Sequence, residues 1–269
     1  MENIKIKSYD VVGDIALVRI PERYINFKDL IAKSIVEKNK HIKTVLRIAS
    51  PVSSNFRLRK YEWILGEKKT ETIHKEFGCI FKVDLSKVYF SPRLHYERMR
   101  IAKQVKSNET IINMFAGIGC FSIIIAKHSK VANIYSIDIN PYAIIYHLEN
   151  VYLNKLNRKI ITILGDSKKI IATLLLGKAD RVLMPLPEKA YEYLDIAVKA
   201  LKANKGIIHY YDFVYARKNK EDPKEKVIKK ISLRAKELSL GLEVFGKRIV
   251  RSVGPNWYQV VLDLNVFPR

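Results

Sequence analysis

"NMFAGIGCFS", residues 113–122, decides how this chain folds. The residues leading into it, "ETIINMF", alternate and are β-branched, which suits a strand. The residues leaving it, "CFSIIIAKHS", read as the start of a helix. Between them, Gly117 and Gly119 interrupt a bulky segment. Strand, glycine turn and helix make a nucleotide-binding corner. A dinucleotide fingerprint needs a third glycine where Ser122 stands, so NAD and FAD are disfavoured. The lysine of a phosphate-binding loop is also absent. What remains is a short turn exposing backbone amides, suited to a ligand with a carboxylate and a ribose rather than a pyrophosphate.

Outward from the corner the texture repeats. "ANIYSIDIN", "KIITILGDS", "ADRVLMPLP" and "GIIHYYDFV" read as strands. "PYAIIYHLENVYLNKL", "KKIIATLL" and "EKAYEYLDIAVKALK" read as the helices between them. That alternation predicts an α/β fold with a parallel, doubly wound sheet. "GLEVFGKRIVRSVGPNWYQVVLDLNVF" closes it with a pair of strands, after a charged helix within 217–236. Upstream, residues 1–20 alternate as strands around a turn at Gly13-Asp14. Residues 27–40 place Leu30, Ile31, Ile35 and Val36 on one helix face. Residues 42–90 return to strand-like stretches, "KVYFS" among them. The chain therefore divides into a smaller α+β domain, 1–92, and a Rossmann-like domain, 93–269.

Of the 269 residues, 49 are Lys or Arg and 27 are Asp or Glu, a net charge of +22. Such an excess points to a polyanion, because lysine and arginine gain by releasing counterions from phosphates. A lysine-rich composition suited to heat or solubility is the plainer explanation. Cys79 and Cys120 lie far apart, with no CxxC and no zinc spacing. "MENIKIKSYD" is no signal peptide, and no apolar run approaches the roughly 20 residues that span a bilayer. A cytoplasmic protein without membrane or metal is expected, and a monomer.

Asp138 ends "NIYSID", followed by Ile139, about 20 residues beyond the glycines. A carboxylate there can accept both hydroxyls of a ribose. Asp166, followed by Ser167, ends the next strand, where it could meet an adenine amino group. "MPLP", Met184 to Pro187, ends the strand after that, and such strand ends line the crevice of an open α/β sheet. Each element has an ordinary structural explanation: a glycine turn, a helix cap, two prolines that stop a strand and start a helix. As an ordered set they fit S-adenosylmethionine (AdoMet) in a Rossmann-like methyltransferase.

"VYFSPRLHYER", "NMFAGIGCFSI", "IDINPYAI", "LNKL", "GDS", "DRVLMPLPEKA" and "GIIHYYDF" together resemble the archaeal and eukaryotic tRNA guanine-37 N1-methyltransferase family. The likeness runs from about residue 7 to the C-terminus. It implies an AdoMet-dependent domain behind a smaller RNA-binding domain, with the anticodon arm of tRNA as partner. It also implies a member without the separate N-terminal module that reads the tRNA elbow. The family's general base is the glutamate closing "FSPRLxxE", here Glu97, and its partner arginine matches Arg57. The AdoMet loop maps to Phe115, Ala116, Gly117 and Gly119, with Asp138 on the ribose; Pro185 is placed beside the cofactor. Asn113 and Cys120 stand where relatives usually have Asp and Pro. Pro185 stands where they have an asparagine that helps hold the target guanine, so that side-chain amide is lost here.

The chemistry then expected is abstraction of the guanine N1 proton by Glu97, with Arg57 stabilising charge on O6. The base must leave its stack to be reached. Tyr89, Tyr210 and Tyr211 could stack on base or cofactor, or belong to the core. Glu97 could instead pair with Arg93 or Arg100 on a helix surface, and Arg57 could be one more phosphate contact. Two sister activities share the scaffold: C7 methylation of a tricyclic wyosine precursor, and aminocarboxypropyl transfer. A non-catalytic RNA-binding protein is the remaining alternative.

Overall fold

The computed structural model describes residues 9–269. The expectation of strand structure before residue 9 lies outside them. Four strands, β1 (Asp10–Val12), β2 (Ile15–Val18), β3 (Thr44–Ile48) and β4 (Tyr61–Gly66), form one sheet in that order. The β1–β2 turn falls at Gly13-Asp14 as expected. Helix α1 (Lys28–Lys38) covers this sheet through Ile31, Ala32 and Ile35. Leu30, expected on the same face, is instead 62% exposed, because the helix turns Ala32 inward beside Ile31 and Ile35. A two-stranded hairpin, β5 (Glu71–Glu76) and β6 (Cys79–Asp84), follows. "KVYFS" pairs with no strand among the described residues; Val88 and Phe90 enter the core while the chain crosses to α2 (His95–Gln104).

The large sheet has seven strands: β7 (Thr110–Asn113), β8 (Asn133–Asp138), β9 (Ile160–Leu164), β10 (Arg181–Met184), β11 (Gly206–Tyr215), β12 (Leu240–Gly254) and β13 (Trp257–Pro268). Their order across the sheet is β12-β13-β11-β10-β7-β8-β9. The first five in sequence are mutually parallel, and β13 and β12 add as an antiparallel hairpin. From β7 the chain steps outward through β8 to β9. It then returns to the other side of β7 and steps through β10 to β11. The reversal opens a crevice at the strand ends between β7 and β10, where ligands of such sheets bind.

Helices α3 (Cys120–His128) and α4 (Pro141–Leu153) link the first strands. The short α5 (Ser167–Ile170) runs on as a π-turn over Ile171–Leu175. The helix expected over "EKAYEYLDIAVKALK" is broken into α6 (Pro187–Ala190) and α7 (Leu194–Ala200). Helix α8 (Pro223–Glu237) precedes the final hairpin. The hairpin β5–β6 is tied to α4 by side-chain amides. Asn150 and Asn154 accept from Lys82 and Ile80 amides at 2.7 and 2.9 Å and donate back to the same residues' carbonyls. That ties the hairpin to α4, which packs on β8 and β9 of the large sheet.

Candidate active site

A cavity of about 590 Å³ opens at this reversal. Phe115, Gly117, Asp138, Ile139, Asp166, Ser167 and Pro185 reach it from the strand ends, and Arg57 and Tyr89 from the N-terminal side. The structure thus brings together every expected site residue except Ala116, Gly119 and Glu97. Ala116 and Gly119 shape the turn: the Gly119 amide donates to the Ala116 carbonyl at 3.0 Å.

The glycines are required by the backbone. Gly117 and Gly119 have φ of +55° and +88°, in the left-handed region that side chains disfavour. A Cβ on Gly119 would also stand 2.3 Å from the buried His147 ring. Ser122, at the third fingerprint position, is fully buried. Its hydroxyl accepts from Asn113 at 3.1 Å and from Ser136 at 2.7 Å, so a polar side chain is tolerated there.

The turn aims the Gly117 amide at Asp138 Oδ2, 2.6 Å away, while the Asn140 amide donates to Oδ1 at 2.9 Å. Burial raises the Asp138 pKa, and these backbone bonds offset only part of that effect. Each oxygen keeps a lone pair for a further donor, the pattern a ribose diol would satisfy. Asp166 caps α5 through the Lys168 and Lys169 amides and accepts the Tyr193 hydroxyl at 2.8 Å. The cap explanation therefore holds, and the same carboxylate faces the cavity. Ile139 and Pro185 supply apolar wall. Carboxylate, free backbone groups and apolar wall fit an adenosyl group. Among the described residues no cluster could hold a metal ion.

The opposite wall is built on a six-residue turn. Ser53 and Leu58 exchange backbone hydrogen bonds at 2.9 Å, and Arg57 between them has φ +58°, unusual for a side chain of its size. Its guanidinium lies 4.4 Å over the Tyr89 ring and pairs with Glu188 of α6 at 3.2 Å. Arg251 of β12 donates to the Tyr89 hydroxyl at 3.0 Å. Burial would raise the Tyr89 pKa, but Arg251 and Arg57 outweigh it and hold it below the usual value. Arg57, Tyr89 and Glu188 also border a second cavity of about 800 Å³, rimmed by Arg19, Arg59, Arg93 and Arg251. The two cavities meet at Arg57.

Glu97, expected as the general base, is not in either cavity. It is 2% exposed on α2. Arg100 donates to both its oxygens, at 2.9 and 2.7 Å, and the Tyr211 hydroxyl donates at 2.8 Å. Arg100 also binds Asp263, which accepts from His209 Nδ1 at 2.6 Å. Arg181 contacts His209 Nε2 at 2.7 Å, and arginine can only donate, so this imidazole is neutral with its proton on Nδ1. Burial is the largest influence on both partners. It lowers the His209 pKa; at Asp263 it works against ionisation but is overcome by the bonds from His209 and Arg100, which hold that carboxyl well below the usual range. The Arg100 pairing foreseen from sequence is present, but inside the protein rather than on a helix surface. Tyr210 and Tyr211 belong to the core, with Tyr210 donating to Asp212. In α8, Lys226, Lys230 and Arg234 are each paired with an acidic side chain.

Sequence reading missed Glu188, Tyr193 and the turn at 53–58. Glu188 follows "MPLP" directly, and its position in the motif was the available signal. Nothing local marks Tyr193, whose ring packs edge-on to Phe115 at 5.3 Å.

Comparison with known proteins agrees with this architecture. Residues 72–244 match the TRM5/TYW2 methyltransferase domain, and residues 2–70 match the TYW2 N-terminal domain. The chain is 40% identical to tRNA (guanine(37)-N(1))-methyltransferase Trm5b of Pyrococcus abyssi, over 96% of this chain and 74% of that protein. It is also 40% identical to tRNA 4-demethylwyosine(37)-methyltransferase Taw21 of Saccharolobus solfataricus, over 96% and 93%. Among solved structures, the complex of aTrm5 with tRNALeu superposes with a TM-score of 0.82 at 39% identity, covering 96% of this chain and 72% of that one. Methanocaldococcus jannaschii TYW2 in complex with AdoMet superposes at 0.71 and 31%, covering 97% and 100%.

Proposed function

The chain belongs to the TRM5/TYW2 methyltransferase family, and from that we propose that it methylates the base at position 37 of tRNA, at N1 of guanosine. The observation that carries this reading is the junction of the two cavities at Arg57. A cofactor-sized space with Asp138 at its back opens directly onto an arginine-rimmed basin, with a cation at the join. AdoMet, the family's cofactor, supplies an electrophilic methyl when bound. Asp138, positioned by the Gly117 amide, would hold its ribose, and Ile139 would flank its adenine. Arg57 sits where charge develops on O6 as N1 loses its proton. Its place over Tyr89 and its strained backbone fix it before the base arrives.

The charge of the basin supports binding of RNA. Arg19, Arg59, Arg93 and Arg251 can take backbone phosphates while the extruded base enters at Arg57. Residues 1–92 supply the base-facing turn, which gives the proposed smaller domain its role in substrate binding. No helix among the described residues is long and apolar enough to cross a membrane.

A second reading, C7 methylation of the 4-demethylwyosine base, rests on Pro185, which leaves the wall without an asparagine amide. Nucleoside mass spectrometry after reaction with AdoMet separates the readings. Methyl on guanosine 37 of a plain transcript supports the first. Methyl only on tRNA carrying the tricyclic base supports the second, and an aminocarboxypropyl adduct refutes both.

A further inference from the structure

We infer that Tyr215 and Trp257 form a stacking shelf for an unpaired nucleobase next to position 37, an inference that rests on the tRNA reading above. The two rings meet edge to face, with centroids 5.8 Å apart and an angle of 66° between them. They stay 43% and 46% exposed, although large aromatic side chains gain by burial. Their backbone is fixed. Tyr215 and Trp257 are cross-strand partners at the end of the β11–β13 ladder. Beyond them, the Ala216 amide donates to the Asn256 carbonyl at 2.9 Å, and the Lys218 amide donates to Asn256 Oδ1 at 3.2 Å. Lys226 Nζ donates to the Tyr215 carbonyl at 3.0 Å. Rings held this way lose little freedom when a flat ligand settles on them.

Strand alternation puts this pair beside the arginine-rimmed basin, which Phe213 and Arg251 line. Phe213 lies two residues before Tyr215 on β11, so both point to one face of the sheet. Gln259, two residues after Trp257 on β13, is the register partner of Arg251 on that face and accepts from its guanidinium at 2.8 Å. Two strand residues span about 7 Å, so the rings stand one such step beyond the basin. Val253, itself 43% exposed, lines the basin directly before Gly254, the β12 partner of Trp257. Arg217 and Lys218, exposed just past the end of β11, add cations on the outer side. Aromatic faces flanked by cations suit single-stranded nucleic acid, with backbone on the charges and base on the ring. A base extruded at Arg57 leaves its neighbours without a stacking partner, and the shelf offers one of them a replacement. A protein partner would instead have to desolvate Arg217 and Lys218 around the same rings.

Trp63 and Trp257 are the two tryptophans of the chain, so Trp63→Phe leaves Trp257 as the sole fluorescent indole. The probes are full-length tRNAs ligated from two halves, with guanosine at 37 and the loop either intact or abasic at 36 or at 38. Every phosphate is kept. The intact tRNA should quench Trp257 emission, and one of the two abasic tRNAs should not. In the otherwise unmodified protein, Trp257→Ala should weaken binding of intact tRNA roughly tenfold, the scale of one base–aromatic stack. It should not weaken binding of that abasic tRNA further, because the stacking partner is already gone. The slope of affinity against salt should stay unchanged, since no phosphate contact is removed. Trp257→Phe should keep most of the affinity. Quenching that survives both abasic sites, an equal loss on intact and abasic tRNA, or unchanged affinity in Trp257→Ala would overturn the shelf and leave the position-37 reading standing. An unmodified protein that binds none of these tRNAs at low salt would overturn both.

Discussion

Two arginine–glutamate pairs, one buried on α2 and one where the two cavities join, are built on opposite principles. Arg100–Glu97 is closed: Glu97 is 2% exposed, and Tyr211, Asp263 and His209 complete its surroundings. Arg57–Glu188 is open: one contact at 3.2 Å, with the glutamate side chain 45% exposed. A buried pair with both carboxylate oxygens bonded exchanges partners at high cost, because each lost bond would strand a charge in a medium of low polarity. An exposed pair gains little from its own contact and gives it up cheaply to a ligand. The family motif draws attention to the first pair, and the second is the one that lines the two cavities.

The sharpest way to break this comparison is stability. Glu97→Ala strips Arg100 and Tyr211 of a buried acceptor and should cost about 3–5 kcal/mol. Glu188→Ala should stay within about 0.5 kcal/mol. Denaturant unfolding of the two variants decides it, and equal effects would erase the distinction.

Acid sharpens the closed side. Burial pushes His147 down to about 3 and His209 below its ordinary value, so both are neutral in the fold. Below about 6.5 the unfolded chain binds protons that these histidines refuse, so stability present at neutral pH is lost as pH falls. Asp263, held low, adds its own loss further down, beneath the ordinary carboxylate range. The urea midpoint should therefore drop steadily from pH 7 to pH 4. His147→Leu should flatten that slope; an unchanged slope would remove His147 from the account.

On the open side, Asp138→Ala should weaken AdoMet binding by more than about tenfold, because two charge-assisted hydrogen bonds are lost. Calorimetry showing unchanged affinity would take Asp138 out of the site. The smallest effect belongs to the basin. Arg59→Ala should weaken RNA binding alike for guanosine-37 and inosine-37 loops and reduce the salt slope by about one phosphate contact. A change in base preference instead would make Arg59 a reader of the base.

How much was legible depended on how local the cause was. Gly117, Gly119, Asp138, Asp166 and the "MPLP" strand end are set by turn geometry and strand termination, so short stretches betrayed them and the crevice they line. Cap and cavity roles of Asp166 coexist because one carboxylate has lone pairs for both. The broken helix at 187–200 was hidden because helical periodicity runs through the break.

Sequence alone determined the doubly wound sheet, the glycine corner and the positive charge, since these follow from periodicity, backbone freedom and composition. Tertiary structure alone decided that Glu97 is buried and that Glu188 lines a cavity. The Glu97–Arg100 spacing reads as a helix-surface pair, and only the packing of β11 and β13 against α2 brings Tyr211 and Asp263 over it and seals it from water. Arg57 and Glu188, far apart in sequence, meet because a turn of the N-terminal part and the end of β10 converge on one crevice. No local pattern encodes that convergence, because it is a property of how the chain closes on itself.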